Sequence, residues 1–274
     1  MWFGHSCPKT KFTLILWNDL GVNLQYELYL LLGGLLIISA LYSSVGHGGA
    51  SGYLALLSLS SYGLMSSVWL KQHVWVMNVV VASIAFFHYY KAGYHKLKLT
   101  MPFILASIPM ALLGGMLTIN GNLYDLLLSI TLVWASYKVV NFKSKKISKN
   151  PLPSTVEPYL WGGGIGFFSG LIGVGGGIFL SPILLLKGWG DVKTAAATAA
   201  LFIVANSISG LAGTAISGNL DLDLSLLGMF LITISLGGYV GSKFGAKHAS
   251  NSLVRKLLAI VLIVAATKRI IELF

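Results

Sequence analysis

The sequence predicts an all-α polytopic membrane protein with two inverted repeats, each a glycine-broken helical hairpin followed by three transmembrane helices. Three observations predict this fold class. The chain of 274 residues is 55% hydrophobic and only 10% charged, whereas soluble domains are about 25% charged. Apolar runs close to the ~20 residues that cross a bilayer recur along the chain. Glycine clusters and asparagines also repeat at a nearly constant offset.

Composition and charge exclude several classes of protein. The first apolar run, TLILW at 13–17, is shorter than the ~7–15 residues of a signal-peptide core, so no cleaved signal is expected. Cys7 is the only cysteine, so neither an intrachain disulfide nor a cysteine metal site is expected. The net charge of +11 comes from basic residues spread between apolar segments. This distribution indicates membrane orientation rather than nucleic-acid binding.

An internal duplication divides the chain. A shift of 128 residues places Gly176 and Gly177 on Gly48 and Gly49, and Asn206 on Asn78. The duplication predicts four parts: an N-terminal segment at 1–23, repeat 1 at 24–142, a basic and proline-rich linker at 143–158, and repeat 2 at 159–274.

Each repeat contains the same four elements in the same order. The first element is a hairpin interrupted by glycines, at 24–62 and again at 159–188. The second hairpin is too short for two spans of ~20 residues, so we expect two short helices that meet near the middle of the membrane. Three helices follow each hairpin: 68–90, 101–118 and 123–142 in repeat 1, and 194–216, 224–243 and 252–272 in repeat 2.

The charged residues of the loops predict how the repeats are oriented. The loop after the second element is basic in repeat 1, with Lys91, Lys96 and Lys98, but acidic in repeat 2, with Asp221 and Asp223. The positive-inside rule then favours inverted repeats, with a cytoplasmic linker and both termini external. Parallel repeats are the alternative.

The glycine clusters GHGG at 46–49 and GVGGG at 173–177 predict an anion site. Irregular backbone at membrane depth is tolerated only where protein buries it or where it lines a polar cavity. Glycine lets successive N–H groups point into one concavity, and a helix N-terminus adds partial positive charge. Each cluster opens a new helix, near Ala50 and near Ile178. The alternative is close helix packing, which suffices for Gly114 and Gly115.

Glycines and polar side chains at the two breaks and on the following helices are the predicted substrate-binding residues: His47, Gly48, Gly49, Ser51, Asn78, Gly175, Gly176, Gly177, Asn206 and Ser207. His47 could bind the anion, carry a proton, or bond only to a neighbouring carbonyl. Lys71 could attract anions or extend to the membrane interface. Ser181 is an additional donor. The expected interface anchors are Trp75, Tyr89, Tyr90, Tyr94 and Trp189.

The absence of mid-span carboxylates disfavours a cation as substrate. None of the eight Asp and Glu residues lies in the middle of a predicted span, where cation carriers and proton relays place them. We expect neither a metal nor another cofactor, and the expected partners are a small anion and membrane lipid, with no nucleic acid.

Four stretches resemble the sulfite exporter TauE/SafE family: GLIGVGGGIFLSPILLL at 170–186, AAATAALFIVANSISG at 195–210, SGNLDL at 217–222 and GGYVG at 237–241. The resemblance covers about 24–274. Repeat 1 departs from the family pattern, with His47 and Ala50 in its glycine cluster and Leu54 at the position matching Pro182.

The resemblance implies a duplicated-domain anion transporter rather than an enzyme. Its substrates would be small sulfur-containing anions such as sulfite or organosulfonates, moved across the cytoplasmic (inner) membrane with coupling to protons or a counter-anion. The mechanism that we expect is alternating access. An anion channel of the same fold is one alternative. The other is an intramembrane serine protease that uses Ser51 in GASG at 49–52, although His88 and His248 lie at predicted membrane edges and Phe179 replaces the serine in repeat 2.

Overall fold

A computed structural model describes residues 24–118 and 156–250, together with positions 126, 130, 252, 253 and 256. Within this part of the chain the regular structure is entirely helical. Its eight α-helices are α1 (Leu24–Ser43), α2 (Ala50–Leu59), α3 (Ser67–Lys91), α4 (Leu97–Met116), α5 (Glu157–Ile172), α6 (Gly177–Lys187), α7 (Val192–Ile216) and α8 (Leu224–Lys243). A 3₁₀ turn at Ser61–Leu64 precedes α3, and a π-helical turn at Phe244–His248 follows α8.

Several of these helices are long and apolar enough to cross a membrane. Among the described residues the candidate spans are Tyr26–Ser43, Ser67–Lys91, Leu97–Met116, Val192–Ile216 and Leu224–His248. The prediction of an all-α polytopic membrane protein is therefore confirmed. The predicted helices at 123–142 and 252–272 lie outside the described residues, apart from isolated positions.

Both glycine-broken hairpins are present, but their first arms differ in length. The second hairpin joins α5, with 16 residues, to α6, with 11. In the first hairpin α2 has 10 residues but α1 has 20, which at ~1.5 Å per residue is long enough to cross the bilayer. The expectation of two short helices is therefore wrong for α1. Its apolar sequence contains Gly33 and Gly34 without a break in the helix.

Helices at corresponding positions in the two repeats make corresponding contacts. α4 of repeat 1 packs along α5 of repeat 2, and the equivalent α8 of repeat 2 packs along α1 of repeat 1. Likewise α3 packs against α8 and α7 against α4, while α3 and α7 pack against each other. α4 of repeat 1 therefore packs on the second hairpin, and α8 of repeat 2 packs on the first hairpin.

The equivalent helices α3 and α7 run in opposite directions where they cross. Asn78 of α3 bonds to Ser207 of α7. Trp75, about one turn before Asn78, lies against Gly210, which is about one turn after Ser207. An earlier residue on one helix thus meets a later residue on the other, which defines an antiparallel pair.

Glycine allows α4 and α5 to approach closely in a parallel arrangement. Gly162 lies against Phe103 and Gly170 lies against Ala111. A Cβ on Gly166 would stand only 2.6 Å from the carbonyl oxygen of Ser107. Small residues of this kind let two backbones pack at short range in a membrane. The packing interpretation agrees with the contacts of Gly114 and Gly115, where an added Cβ would overlap the carbonyl oxygen of Phe167 or of Gly210.

Candidate functional site

The two glycine clusters form breaks between helices, as the sequence predicts. In the first break Gly49 has φ 102° and α2 begins at Ala50. In the second break Gly173, Gly175 and Gly176 have φ values of 89°, 75° and 81°, and α6 begins at Gly177. A side chain with a Cβ rarely adopts such positive φ values, so glycine is required for this backbone path.

Both helices that leave the breaks begin without a capping side chain. Neither Gly49 nor Gly176, at the N-cap positions, is associated with a side-chain cap hydrogen bond. The first N–H groups of a helix have no partner within that helix. The starts of α2 and α6 therefore offer backbone donors and partial positive charge inside the protein.

Asn78 of α3 contacts both breaks. A Cβ on Gly48 would overlap Asn78 Oδ1, and a Cβ on Gly175 would lie 2.6 Å from Asn78 Nδ2. Nδ2 donates a long hydrogen bond of 3.5 Å to Ser207 Oγ. Asn78 is fully buried, and its Oδ1 has no hydrogen-bond partner in the described part of the chain. A buried amide with an unsatisfied atom beside two glycine breaks is a reason to expect a ligand or water there.

Asn206 of α7 is the repeat-2 counterpart of Asn78 and occupies a similar position. Its Nδ2 donates to the carbonyl oxygen of Gly175 at 3.4 Å. Its Oδ1 is also buried, with no partner among the described residues. Each break therefore has an asparagine from the following long helix of its own repeat beside it.

His47 connects the first break to α6 of the second hairpin. Its Nδ1 lies 2.9 Å from the carbonyl oxygen of Val45, so Nδ1 carries the proton in that contact. Its Nε2 lies 3.4 Å from Ser181 Oγ, and the serine hydroxyl donates to that nitrogen when the imidazole is neutral. The bond to Val45 is the one expected for a structural histidine, whereas the second nitrogen contacts the opposite repeat.

Ser51 bonds to Tyr42 rather than to a histidine. The two hydroxyl oxygens are 2.7 Å apart and buried. The protease alternative needs a histidine base beside this serine, but His88 Nδ1 instead lies 2.8 Å from Ser242 Oγ. His248 belongs to the π-helical turn after α8. The side-chain geometry around Ser51 therefore provides no nucleophile–base pair with either histidine.

A small cavity adjoins the first break. It is lined by residues of both hairpins and of α7: Tyr42, His47, Gly48, Gly49, Ala50, Ser51, Val174, Ile178 and Ile203. Its free space holds about one water molecule. A sulfur oxyanion is larger than water and does not fit into this space.

Lys71 lies away from this cavity, near the start of α3. Its side chain is buried, and Nζ donates to the carbonyl oxygen of Leu117 at 2.9 Å. The ammonium also lies 5.4 Å from the centre of the Trp75 ring. The Lys71 ammonium therefore bonds within the protein rather than to solvent. Its backbone lies beside the second break, because a Cβ on Gly173 would be 2.6 Å from Lys71 Cβ.

The structure gathers the predicted site residues into two adjoining groups. His47, Gly48, Gly49 and Ser51 line the cavity. The remaining predicted residues lie around the second break and the α3–α7 crossing: Asn78, Gly175, Gly176, Gly177, Asn206 and Ser207. Sequence reasoning missed Tyr42, whose polar group inside an apolar helix was the available signal. It also expected Trp75, Tyr89 and Trp189 to be interface anchors, but all three are buried within the protein.

Comparison with known proteins identifies the family. The model of the family described as "Sulfite exporter TauE/SafE" matches residues 30–269. The chain belongs to this family. The "Probable membrane transporter protein y4hK" of Sinorhizobium fredii (strain NBRC 101917 / NGR234) is 31% identical over 236 residues, which are 85% of this chain and 94% of that protein. No solved structure matches the chain.

Membership of the TauE/SafE family confirms the resemblance drawn from the motifs at 170–241. It identifies the chain as a membrane transporter and not as an enzyme. The family assignment and the bond between Ser51 and Tyr42 together disfavour the protease alternative.

Proposed function

We propose that this TauE/SafE protein is a secondary carrier that exports small sulfur-containing anions, sulfite or an organosulfonate, across the cytoplasmic membrane by alternating access. The anion binds between the two glycine breaks. Backbone N–H groups of Gly48, Gly49, Gly176 and Gly177 hold it, together with the amides of Asn78 and Asn206.

The observation that carries this proposal is the position of Asn78 between the two breaks. Its amide lies against Gly48 of one repeat and Gly175 of the other. The uncapped starts of α2 and α6 follow these same breaks. Rotation of the Asn78 amide by 180° would let Ser207 donate to Oδ1 and direct Nδ2 towards Gly48. Helix starts and an amide donor then suit an anion without a fixed counter-cation.

The directions of the helices support inverted repeats. The equivalent helices α3 and α7 are antiparallel at their crossing. With the basic loop after α3 and the basic linker at 143–158 on the cytoplasmic side, both termini are external. In this arrangement the two breaks lie on opposite sides of a pseudo-twofold axis in the membrane plane.

The small cavity supports a carrier in preference to an open channel. The described residues leave room for about one water molecule beside the first break. An anion therefore binds only after the repeats have moved relative to each other, as alternating access requires. The channel alternative needs a continuous open path, so it predicts a second conformation in which both ends are open together.

Proton coupling is assigned to His47. His47 lines the cavity together with Gly48 and Gly49, and in that lining it is the side chain of a type that titrates near neutral pH. Imidazole exchanges protons near physiological pH, and Ser181 connects its Nε2 to the second repeat. Exchange for a counter-anion is the alternative form of coupling. In that case His47 has only a structural role, through its bond to the carbonyl oxygen of Val45.

The test is sulfite efflux from liposomes that contain the purified protein, with and without a pH gradient, and with empty liposomes as the control. A carrier gives efflux that saturates with internal sulfite, and proton coupling makes the gradient accelerate it. Efflux that rises linearly, with resolvable single-channel current, would favour the channel. No efflux of sulfite or sulfoacetate from correctly folded protein would contradict the proposed substrate class.

A further inference from the structure

Two lysines are buried near the starts of the two crossing helices. Lys71 of α3 is 2% exposed and Lys193 of α7 is 7% exposed. Among the described residues neither ammonium forms an ion pair, because the neighbours of both are neutral groups. Buried lysines normally pair with a carboxylate, since an uncompensated charge away from water is costly.

The two lysines are bound in the same way in the two repeats. Lys71 Nζ donates to the carbonyl oxygen of Leu117, just after α4. Lys193 Nζ donates at 3.2 Å to the carbonyl oxygen of Ala246, just after α8. Each also faces an aromatic ring, with Nζ of Lys193 5.0 Å from the centre of the Tyr94 ring. In each repeat the ammonium group therefore donates a hydrogen bond to a carbonyl oxygen that follows the next long helix.

Each lysine also lies near the start of a helix that contacts the break of the other repeat. Lys71 lies against Gly173, at the start of the second break. Ala196, about one turn after Lys193, lies against Gly46 in the first break, where an added Cβ would be 2.6 Å from Ala196 Cα. Because α3 and α7 are antiparallel, the two lysines occupy opposite ends of the crossing. One ammonium group lies at each end of the region that contains both breaks.

We infer that Lys193 and Lys71 are two docking positions for the transported anion, one reached from each face of the membrane. An ammonium has three donors, and Lys71 uses one of them on a carbonyl in the described structure. Carbonyl and ring dipoles stabilise the cation but do not neutralise it, whereas an oxyanion supplies both a negative charge and further acceptors. The inference rests on the proposed anion transport and adds Lys193, which the sequence analysis did not select.

A purely structural role for Lys193 makes a different prediction. A lysine that only anchors a helix end extends its ammonium to water, but Lys193 is almost fully buried and donates to Tyr94 and Ala246. If these bonds only hold the helices together, loss of Lys193 lowers the free energy of unfolding and leaves the affinity for the anion unchanged. If Lys193 docks the anion, its loss weakens the apparent affinity from one face of the membrane.

The test compares uptake of radiolabelled sulfite by right-side-out and inside-out membrane vesicles. Lys193→Met, which keeps the length of the side chain but removes its charge, should raise the half-saturating sulfite concentration at least about fivefold for one face only. Lys71→Met should do so for the opposite face. Lys193→Arg should stay within about twofold of the wild type because it keeps the charge. Lys193→Gln is a second neutral variant in case the methionine variant does not accumulate.

Lys187 provides a matched control near Lys193 in the chain. It ends α6, its side chain is 45% exposed, and it forms an ion pair with Glu157. Lys187→Met removes the same charge from the chain and should leave sulfite uptake unchanged. The inference is overturned if Lys193→Met and Lys193→Gln match the wild type from both faces, or if Lys193→Arg is as impaired as Lys193→Met. A wild-type protein that takes up no sulfite overturns the proposed function itself, and this inference with it.

Discussion

Asn78 Nδ2 donates a hydrogen bond to Ser207 Oγ, 3.5 Å away, where the equivalent helices α3 and α7 cross. The same amide lies against Gly48 of the first break and Gly175 of the second. A single side chain thus contacts the irregular backbone of both repeats. A change at Asn78 therefore tests whether the two breaks act as one site.

Asn78→Asp should strongly weaken sulfite binding. The carboxylate has nearly the same shape as the amide, but it places a negative charge beside both helix starts. Repulsion between two unit charges at about 5 Å inside a protein should weaken binding by at least about tenfold. Titration calorimetry of the purified protein in detergent measures the loss.

Two further variants separate charge from packing at this position. Asn78→Ser removes the amide without adding charge, so it should weaken binding less than Asn78→Asp. Asn219→Asp adds a carboxylate at an exposed loop position and should bind sulfite like the wild type. Unchanged sulfite affinity in Asn78→Asp would remove Asn78 from the site.

His47→Asn should separate proton coupling from transport. The asparagine amide can still donate to the carbonyl of Val45, as Nδ1 does at 2.9 Å, but it does not titrate in the physiological range. Liposomes that contain the variant should release sulfite at the same rate with and without a pH gradient. A preserved acceleration would show that the proton is carried elsewhere. Ser181→Ala, which removes the partner of Nε2, is the companion variant.

Inverted repeats predict that the ends of α3 and α7 reach opposite faces of the membrane. With Cys7→Ser as background, single cysteines at Lys96 and Asn219 can be labelled with a membrane-impermeant maleimide. Both positions are exposed, after α3 and after α7 respectively. The Asn219→Cys variant should react from outside intact cells and Lys96→Cys only after permeabilisation. Equal reaction from one side would favour parallel repeats instead.

Gly166→Leu should destabilise the protein without contacting the anion site. A Cβ at Gly166 would lie 2.6 Å from the carbonyl oxygen of Ser107, so α4 and α5 must separate. Overpacking of this kind lowers the free energy of unfolding by about 1–3 kcal/mol. Gly164→Leu, where no atom lies within 4 Å, is the control. Thermal unfolding in detergent should show a loss for Gly166→Leu and little change for Gly164→Leu.

The helix breaks could be located from the sequence because their cause is local. A run of glycines specifies backbone angles that other residues avoid, and α2 begins at Ala50 as predicted. The second helix begins at Gly177, one residue before the expected Ile178. Packing glycines such as Gly114 were also recognisable as small residues within long apolar helices.

The side-chain partners could not be predicted because they join residues far apart in the chain. The contact between His47 and Ser181 joins the two repeats, and the bond between Ser51 and Tyr42 depends on how the first hairpin folds back. Trp75 was expected at the interface because its ring has a polar N–H group. It is buried instead, because α3 packs against α7, α8 and the first hairpin.

The most direct test of the anion site is calorimetric titration of purified Gly176→Val with sulfite, beside the wild type and Gly164→Val. Gly176 has φ 81°, and a Cβ there would lie 2.8 Å from the Phe202 ring, so valine must distort the backbone that presents the N–H groups. Gly164 lies in open space on the same hairpin. We predict saturable binding by the wild type and Gly164→Val and none by folded Gly176→Val. Binding by Gly176→Val with wild-type affinity would contradict the claim that the glycine breaks hold the anion.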